Sequence, residues 1–332
     1  MKEKTLLIEE KFLSPFATKS KDTKGRLYPI EPCPMRTEFQ RDRDRIIHCK
    51  AFRRLKNKTQ VFFSPEGDHY RTRLTHTFAV SQVARSIARA LSLNEDLTEA
   101  IALGHDLGHT PFGHAGERIL NRLNEKHGFE HNVQSGRVVD FLEKDGKGLN
   151  LTREVVDGII NHKMKCKPST LEGMAVNLAD RIAYINHDID DAIVGGFITL
   201  DDLPKSARQI LGDTSSRRIN AMVLSIFNNS DGKPKVEMDK QVLEQTTLLR
   251  NFLFERVYSD KTFKEEEERA DRMLSALYGY FKKNPEKLPE FNRKQLENTD
   301  IDDVLCDYIS SMSDTYAANT FSAIFIPRKW EL

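Results

Sequence analysis

The chain has 332 residues, with 51 Lys and Arg against 50 Asp and Glu and a formal net charge of +1 at pH 7. This balance gives no overall charge that would favour a nucleic acid or an acidic membrane as partner, while the length allows a substantial core in one or two domains. No apolar run approaches the ~20 residues of a membrane span, and the N-terminus lacks the apolar core of a signal peptide. Four scattered cysteines without a Cys-x-x-Cys pair are typical of reduced thiols, so we expect a soluble cytoplasmic protein.

Helical periodicity dominates the chain, and strand-like alternation is scarce apart from a short apolar piece at residues 61–63. Glycine and proline at residues 25–34 predict an irregular lead-in. We therefore predict an all-α fold with a lead-in at 1–40, a helical core at 41–200 that holds the candidate site residues, and a C-terminal helical region at 201–332 packed on that core. Helical patterns with a period of 3.6 residues occur at residues 76–87, 97–105, 115–126, 154–162, 171–194, 241–259, 265–282 and 301–325.

A basic run occupies residues 41–58, where eight Lys and Arg face only Asp42 and Asp44. Arg71 and Arg73 follow shortly afterwards. One interpretation is a solvated helix face. The other is a binding surface for a polyanion, because the planar guanidinium group suits pairs of phosphate oxygens.

The stretch at residues 104–117, Gly-His-Asp-Leu-Gly-His-Thr-Pro-Phe-Gly-His-Ala-Gly-Glu, is the most informative part of the chain. Its adjacent His105 and Asp106 offer an imidazole nitrogen and a carboxylate oxygen, which suit Mg, Mn, Fe or Zn. His76, on the buried stripe of its helix, and Asp180 could complete the ligand set. Alone, a histidine at position 76 would more often be a core residue than a metal ligand.

The helix predicted at 171–194 carries a polar stripe that includes Asp180. The simplest interpretation is a solvent-exposed helix face, but such faces usually carry Lys and Glu rather than residues of the types that bind metals. With the other candidates present, we favour a functional face. Its members, spaced at helical intervals, are Asn177, Asp180, Tyr184, His187, Asp188 and Asp191.

His114 and Glu117 lie at the start of the helix predicted at 115–126. A carboxylate that fixes the tautomer of an imidazole is a suitable general acid. We expect His48, His127 and His162 to be structural or surface residues.

The His…His-Asp…Asp order resembles that of the HD superfamily of metal-dependent phosphohydrolases. The segments at 39–48, 52–56, 58–62 and 129–132 resemble one branch, the bacterial deoxyguanosinetriphosphate triphosphohydrolase-like family, and the resemblance covers nearly the whole chain. It implies an HD-domain helical bundle with additional C-terminal helices. It also implies hydrolysis of a deoxynucleoside triphosphate (dNTP), with dGTP or several dNTPs as substrate, to deoxynucleoside and inorganic triphosphate.

The resemblance further implies a divalent metal (Mn, Mg, Fe, Co or Zn) and a homo-oligomer with a dNTP activator at a subunit interface. Two alternatives stay open: an HD phosphohydrolase acting on nucleoside monophosphates or cyclic nucleotides, and a nucleotide-sensing protein that binds nucleic acid. The implied roles are metal ligands His76, His105, Asp106 and Asp180; catalytic groups His114, Glu117 and His131; and substrate contacts Gln60, Arg73, His109, Tyr184 and Asp188.

Overall fold

A computed structural model describes residues 1–60 and 71–327 as α-helices joined by mostly short connections. The all-α prediction is confirmed, since these residues form no β-strand and only two isolated β-bridges. The apolar piece predicted at 61–63 lies outside the described residues. In chain order the helices are α1 (Lys2–Phe12), α2 (Glu38–Ile47), α3 (Lys50–Arg54), α4 (Arg73–Ala90), α5 (Glu95–Gly104), α6 (Gly113–Leu123), α7 (His131–Arg137), α8 (Arg153–Ile160), α9 (Leu171–Val194), α10 (Lys205–Leu211), α11 (Ser215–Ser230), α12 (Lys240–Arg256), α13 (Lys261–Lys283), α14 (Glu290–Gln295), α15 (Ile301–Ser310) and α16 (Asp314–Phe325).

Side-chain caps start α5 and α9, two of the helices that position candidate site residues. Asn94 caps α5 by accepting from the backbone N–H groups of the first turn. Thr170 caps α9 by accepting from the N–H of Gly173 at 3.1 Å. Such caps satisfy N–H groups that have no partner within the helix, and so fix where each helix begins.

The helix predicted at 301–325 is two helices, α15 and α16. The hydroxyl of Ser313 accepts from the N–H of Tyr316 at 3.2 Å and starts α16 separately. The break contains no glycine or proline, and a serine cap within an apolar pattern gives only a weak signal in the sequence.

The chain divides into two compact units built from alternating segments. The first unit comprises residues 1–48, 75–105 and 150–260. Within it, α5 packs against α2, α8 and α9, and its core includes fully buried Leu97, Ile101 and Ile159. These contacts hold the C-terminal end of α5 beside α9, where candidate site residues lie.

The second unit comprises residues 49–74, 106–149 and 261–332. Its core is formed by α6, α13 and α15, with Leu120, Leu274 and Ile309 completely buried. The C-terminal helices therefore share a core with the helix that begins at the candidate catalytic residues. The predicted division at residues 40 and 200 stays a prediction.

Most of the basic residues of α2 are paired within the first unit. Arg43 contacts Asp96 at 3.3 Å and Glu99 at 3.2 Å, and Arg41 contacts Glu38 at 3.3 Å. Both guanidinium groups are therefore engaged by carboxylates of the protein itself, which disfavours a polyanion-binding surface at this part of the basic run. Among the described residues, no helix has the combination of length and apolarity that a membrane crossing needs.

Candidate active site

Two histidines and an aspartate converge in the first unit, and we call them the His76 cluster (His76, His105 and Asp180). His76 lies in the first turn of α4, His105 follows the last residue of α5, and Asp180 lies near the middle of α9. The Nε2 atom of His76 is 3.0 Å from Oδ1 of Asp180, and Nε2 of His105 is 3.9 Å from the same oxygen. Two imidazole nitrogens are thus directed at one carboxylate oxygen.

Both imidazole groups of this cluster are buried, and a backbone contact determines the tautomer of one of them. His76 and His105 are each 1% exposed. Nδ1 of His105 lies 2.7 Å from the carbonyl oxygen of Ala102, so the neutral ring carries its proton on Nδ1 and presents the lone pair of Nε2. Contacts of this kind commonly orient histidines that bind metals.

The donor atoms of the His76 cluster fit a divalent metal ion. Neighbouring ligands at about 2.1 Å from such an ion lie ~3 Å apart, which is close to the separation of 3.0 Å between His76 and Asp180. Neutral imidazole and carboxylate suit Mn, Mg, Fe, Co or Zn better than a soft ion. The residues present therefore have the spacing and the chemistry of a metal site.

Asp106 follows His105 directly in the chain, in the turn after α5, and belongs to the second unit. Its Oδ2 accepts from Nη1 of Arg73 at 2.7 Å. Nη2 of Arg73 donates to the carbonyl oxygen of Gln60 at 3.1 Å. Arg73, predicted as a phosphate contact, thus also directs the carboxylate of a predicted metal ligand.

The second unit contains the Glu117 cluster, which consists of His109, His114, Glu117 and His131. Oε2 of Glu117 lies 3.1 Å from Nδ1 of His114 and 2.8 Å from Nδ1 of His131. The ring of His109 stacks on that of His131, with 4.3 Å between their centroids. One carboxylate therefore orients two imidazoles, and an imidazole positioned in this way can act as a proton donor.

Burial and hydrogen bonding have opposite effects on the pKa values of this cluster. Burial would raise the pKa of Glu117, but the bonds from His114 and His131 outweigh it and hold that pKa below its ordinary range. Burial lowers the pKa of His131, against the attraction of Glu117. Burial, and then the charge of Arg73, lower the pKa of His109 well below its ordinary value. At neutral pH, Glu117 is therefore ionised and His109 is neutral.

Two glycines allow the loop before α6 to approach neighbouring backbone closely. A Cβ atom at Gly108 would lie 2.2 Å from the backbone nitrogen of Ser135 on α7. Gly113 has φ +57°, and a Cβ there would lie 2.9 Å from the carbonyl oxygen of Gln60. The glycines of the 104–117 motif therefore let the chain bend and pack tightly around its histidines.

The predicted sugar contacts Tyr184 and Asp188 lie one and two turns after Asp180 on α9. The phenol of Tyr258 donates to the carboxylate of Asp188. Burial raises the pKa of Tyr258 well above its ordinary value, so this phenol keeps its proton. The third predicted sugar contact, Gln60, is buried in the second unit, and its Oε1 has no hydrogen bond to any residue of the described part of the chain.

Two known protein families match parts of this chain that include these residues. The HD domain family matches residues 73–185, and the Phosphohydrolase-associated domain family matches residues 236–323. The first match contains all of the His76 cluster, Asp106 and the Glu117 cluster. The second covers the helices from α12 to α16, apart from the last residues of α16.

Three relatives bear the name deoxyguanosinetriphosphate triphosphohydrolase-like protein. The protein of Caldanaerobacter subterraneus subsp. tengcongensis is 57% identical, covering 99% of this chain and 97% of its own. That of Clostridium tetani is 46% identical over 97% and 95%, and that of Geobacter sulfurreducens is 39% identical over 96% and 97%. The chain belongs to the deoxyguanosinetriphosphate triphosphohydrolase-like family. The predicted family is confirmed, and the chain is a metal-dependent HD-domain phosphohydrolase.

Sequence reasoning missed residues of this family member that lie beside the predicted groups. His162, expected to be structural or on the surface, is buried, with its ring centroid 5.1 Å from that of His105. Tyr258 was not singled out, although it forms a series with Arg250 and Phe254 at intervals of four residues. The guanidinium of Arg250 lies 4.7 Å from the ring centroid of Phe254, which is 4.9 Å from that of Tyr258. The spacing of four residues was the signal in the sequence that could have placed these three side chains together.

Proposed function

We propose that this phosphohydrolase cleaves dNTPs, either dGTP or several of them, at the α-phosphorus. The products are deoxynucleoside and inorganic triphosphate. The observation that carries the proposal is the His76 cluster, with two imidazole nitrogens directed at one carboxylate oxygen. The chain's membership of the family named above supports the choice of substrate.

The proposed metal ligands are His76, His105, Asp106 and Asp180. A divalent ion (Mn, Mg, Fe, Co or Zn) at this place supplies Lewis-acid chemistry, which activates water and offsets phosphate charge. The chain prepares its own groups for this ion. The contact with Ala102 directs the lone pair of Nε2 in His105, and Arg73 directs the carboxylate of Asp106.

The Glu117 cluster supplies the proton that the leaving O5′ atom of the deoxynucleoside needs. Glu117 stays ionised and therefore stabilises a protonated imidazole beside it. His114 and His131 both contact this carboxylate. In the proposed reaction, His114 gives its proton to O5′, and His131 supports or shares that role.

The remaining predicted residues bind and select the substrate. Arg73 and His109 contact the phosphates. Gln60 and Asp188 hold the 3′-hydroxyl of the sugar, and the ring of Tyr184 packs against C2′, where it leaves no room for a ribose hydroxyl. The hydrogen bond from Tyr258 fixes the direction of the Asp188 carboxylate.

We also propose that the protein is cytoplasmic and, from the resemblance to the family, that it acts as a homo-oligomer in which a dNTP at a subunit interface activates hydrolysis. We likewise propose the division into a lead-in at 1–40, an HD core at 41–200 and a C-terminal region at 201–332, which follows from the helical periodicity and the glycine and proline pattern of the sequence. Nucleic acid as an effector would reveal itself by binding that weakens steeply as salt rises.

Product analysis with metal removed and restored tests the proposal. The protein, stripped with EDTA and then supplied with Mn²⁺, is incubated with each of the four dNTPs singly and mixed. We expect inorganic triphosphate and deoxynucleoside only when metal is restored, and faster hydrolysis in the mixture. Hydrolysis of monophosphates or cyclic nucleotides instead would favour the first alternative, and binding without any product would favour a nucleotide sensor.

A pair of histidine variants provides the control for the metal site. His76→Ala removes a ligand from the His76 cluster and should lose both bound metal and turnover. His48→Ala changes an exposed histidine outside the cluster and should keep both. Equal metal content and equal turnover in the two variants would rule out His76 as a ligand.

A further inference from the structure

Asp314, the first residue of α16, binds the loop that precedes α6. Its Oδ1 accepts from the backbone N–H of Phe112 at 3.0 Å. Its Oδ2 accepts from the backbone N–H of Thr59 at 2.9 Å and also from the hydroxyl of Thr59. A single carboxylate thus joins the start of α16, the segment around Thr59 and the loop through three hydrogen bonds.

Lys58 makes a second connection between the same segments. Its side chain is buried and donates from Nζ to the carbonyl oxygen of His109 and, at 2.7 Å, to that of Ser310 at the end of α15. Burying an amino group is costly unless acceptors surround it. Together, Lys58, Thr59 and Asp314 attach both ends of the loop from His109 to Phe112 to the junction of α15 and α16, and we call them the Asp314 anchor.

The loop needs such an attachment because its backbone is strained. Phe112 has φ +60°, in the left-handed region that a bulky residue rarely adopts. Such a conformation persists only where surrounding contacts impose it. The next residues, Gly113 and His114, begin α6, so the conformation at Phe112 sets the direction from which the His114 imidazole leaves the backbone.

The helix that carries Asp314 is only partly buried. Throughout its described length, α16 buries a single residue, Ala317. Tyr316 and Phe325 are 52% and 43% exposed. Ala317 lies in the core of the second unit, and Phe321 and Ile324 pack against it in part. The hydrogen bonds of Asp314 therefore add a polar attachment at the start of α16 to the apolar packing farther along the helix.

We infer that the Asp314 anchor positions His109 and His114 for the reaction, so that α15 and α16 belong to the catalytic framework without contacting substrate. The inference rests on the proposed function, which gives His114 the proton transfer and His109 a phosphate contact. Lys58, Thr59 and Asp314 are positioning residues. Their loss should lower kcat, because displacement of a reacting group by ~1 Å can cost about 100-fold in rate.

Asp314→Asn is the central variant. The amide keeps the shape of the side chain but places an N–H₂ group against either Thr59 or Phe112, which are both donors. With Mn²⁺ and a dNTP substrate, we expect kcat to fall by about 10- to 100-fold, while KM stays within about threefold and metal content is unchanged. A purely structural role would instead lower the folded fraction and leave kcat per folded molecule unaltered.

Lys58→Met and Glu290→Gln complete the set. Methionine keeps the length of the lysine but cannot donate to His109 or Ser310, and it also removes the cost of a buried amino group. Lys58→Met should therefore lose turnover even where it stays folded. Glu290 is also the first residue of a helix, but its carboxylate pairs with Lys294 at 2.7 Å on the protein surface, so Glu290→Gln should keep wild-type kcat.

Hydrogen–deuterium exchange of the peptide spanning residues 109–113 tests the anchor without any substrate. We expect faster exchange in Asp314→Asn than in wild type and no change in Glu290→Gln. Wild-type exchange together with wild-type kcat in Asp314→Asn would overturn the inference. If the wild-type protein hydrolyses no dNTP, the proposed function fails, and the exchange comparison still decides whether the anchor holds the loop.

Discussion

His114 and His131 share the carboxylate of Glu117 but differ in exposure. The side chain of His114 is 60% exposed and that of His131 is 7% exposed. Burial lowers the pKa of His131, so this ring is protonated less readily at neutral pH. In the proposed reaction, we therefore assign the proton transfer to the more exposed His114.

Replacing each histidine separately tests this assignment. Loss of a general acid typically costs about 10²- to 10⁴-fold in rate, and we expect His114→Ala to lose that much kcat with its metal retained. His131→Ala should lose less. His127→Ala is the matched control, because His127 also contacts a carboxylate, that of Asp303 at 2.9 Å, outside the Glu117 cluster. A larger loss in His131→Ala than in His114→Ala would reverse the two roles.

Lys58 gives the stability of the protein a predictable dependence on pH. Burial lowers the pKa of Lys58 from its ordinary value of 10.5 to about 7. Between these values the unfolded chain holds a proton on this amine that the folded chain has released. The free energy of unfolding should therefore rise as pH increases from 7 towards 10.5, and this part of it is lost as pH falls to about 7.

Urea unfolding at pH 7, 8 and 9 measures this effect. The wild-type protein should gain stability over this range relative to Lys58→Met, which has no amine at position 58 to titrate. Lys240→Met is the control, since the side chain of Lys240 is 92% exposed, and its curve should run parallel to that of wild type. A parallel curve for Lys58→Met as well would show that Lys58 does not titrate in this way.

At the scale of the elements, sequence periodicity predicted the helices that combine a regular apolar stripe with a clear cap. The predicted helix at 171–194 coincides with α9 at both ends, because Thr170 caps it and apolar residues recur throughout. The same stripe placed Asp180, Tyr184 and Asp188 on consecutive turns. Periodicity failed at 301–325, where the cap at Ser313 interrupts an apolar pattern that otherwise continues.

Contacts between distant segments could not be predicted in this way. Thr59 and Asp314 are 255 residues apart in the chain, and Arg73 reaches Asp106 across 33 residues. Neither contact follows from periodicity or from local spacing, since both depend on how helices pack. The sequence therefore predicts which residues bear the chemistry, but it does not predict which residues hold them in place.

Gly108 allows the turn after α5 to pack closely against α7. A Cβ atom there would lie within 2.2 to 2.7 Å of backbone atoms of α7, including the carbonyl oxygen of His131. Because backbone cannot move aside as a flexible side chain can, Gly108→Ala should displace α7. We expect a loss of about 1–3 kcal/mol in the free energy of unfolding and a lower kcat.

Gly279→Ala on α13 is the matched change for this experiment. Within the described part of the chain, a Cβ at Gly279 meets no atom within 4 Å beyond its chain neighbours and the backbone of its own helix. Alanine should therefore leave stability equal or raise it by about 0.5–1 kcal/mol through its higher helix propensity. Urea unfolding of both variants gives the comparison. Equal stability of Gly108→Ala and wild type would contradict the close packing of the loop against α7.

For the whole molecule, the family and the fold do not by themselves determine the substrate. An HD-domain scaffold can serve several phosphate esters, because function resides in the site rather than in the fold. The near-neutral charge of the chain, +1 at pH 7, gives no overall attraction to a polyanion. In the proposed function, the choice of a triphosphate therefore depends on local groups such as Arg73 and the Glu117 cluster.

Hydrolysis in water enriched in ¹⁸O tests the central claim most directly. The metal-loaded protein is incubated with dGTP, and both products are analysed by mass spectrometry. Attack of water on the α-phosphorus predicts one ¹⁸O atom in inorganic triphosphate and none in the deoxynucleoside. Label in the deoxynucleoside, or products that include pyrophosphate or orthophosphate in place of triphosphate, would contradict the account.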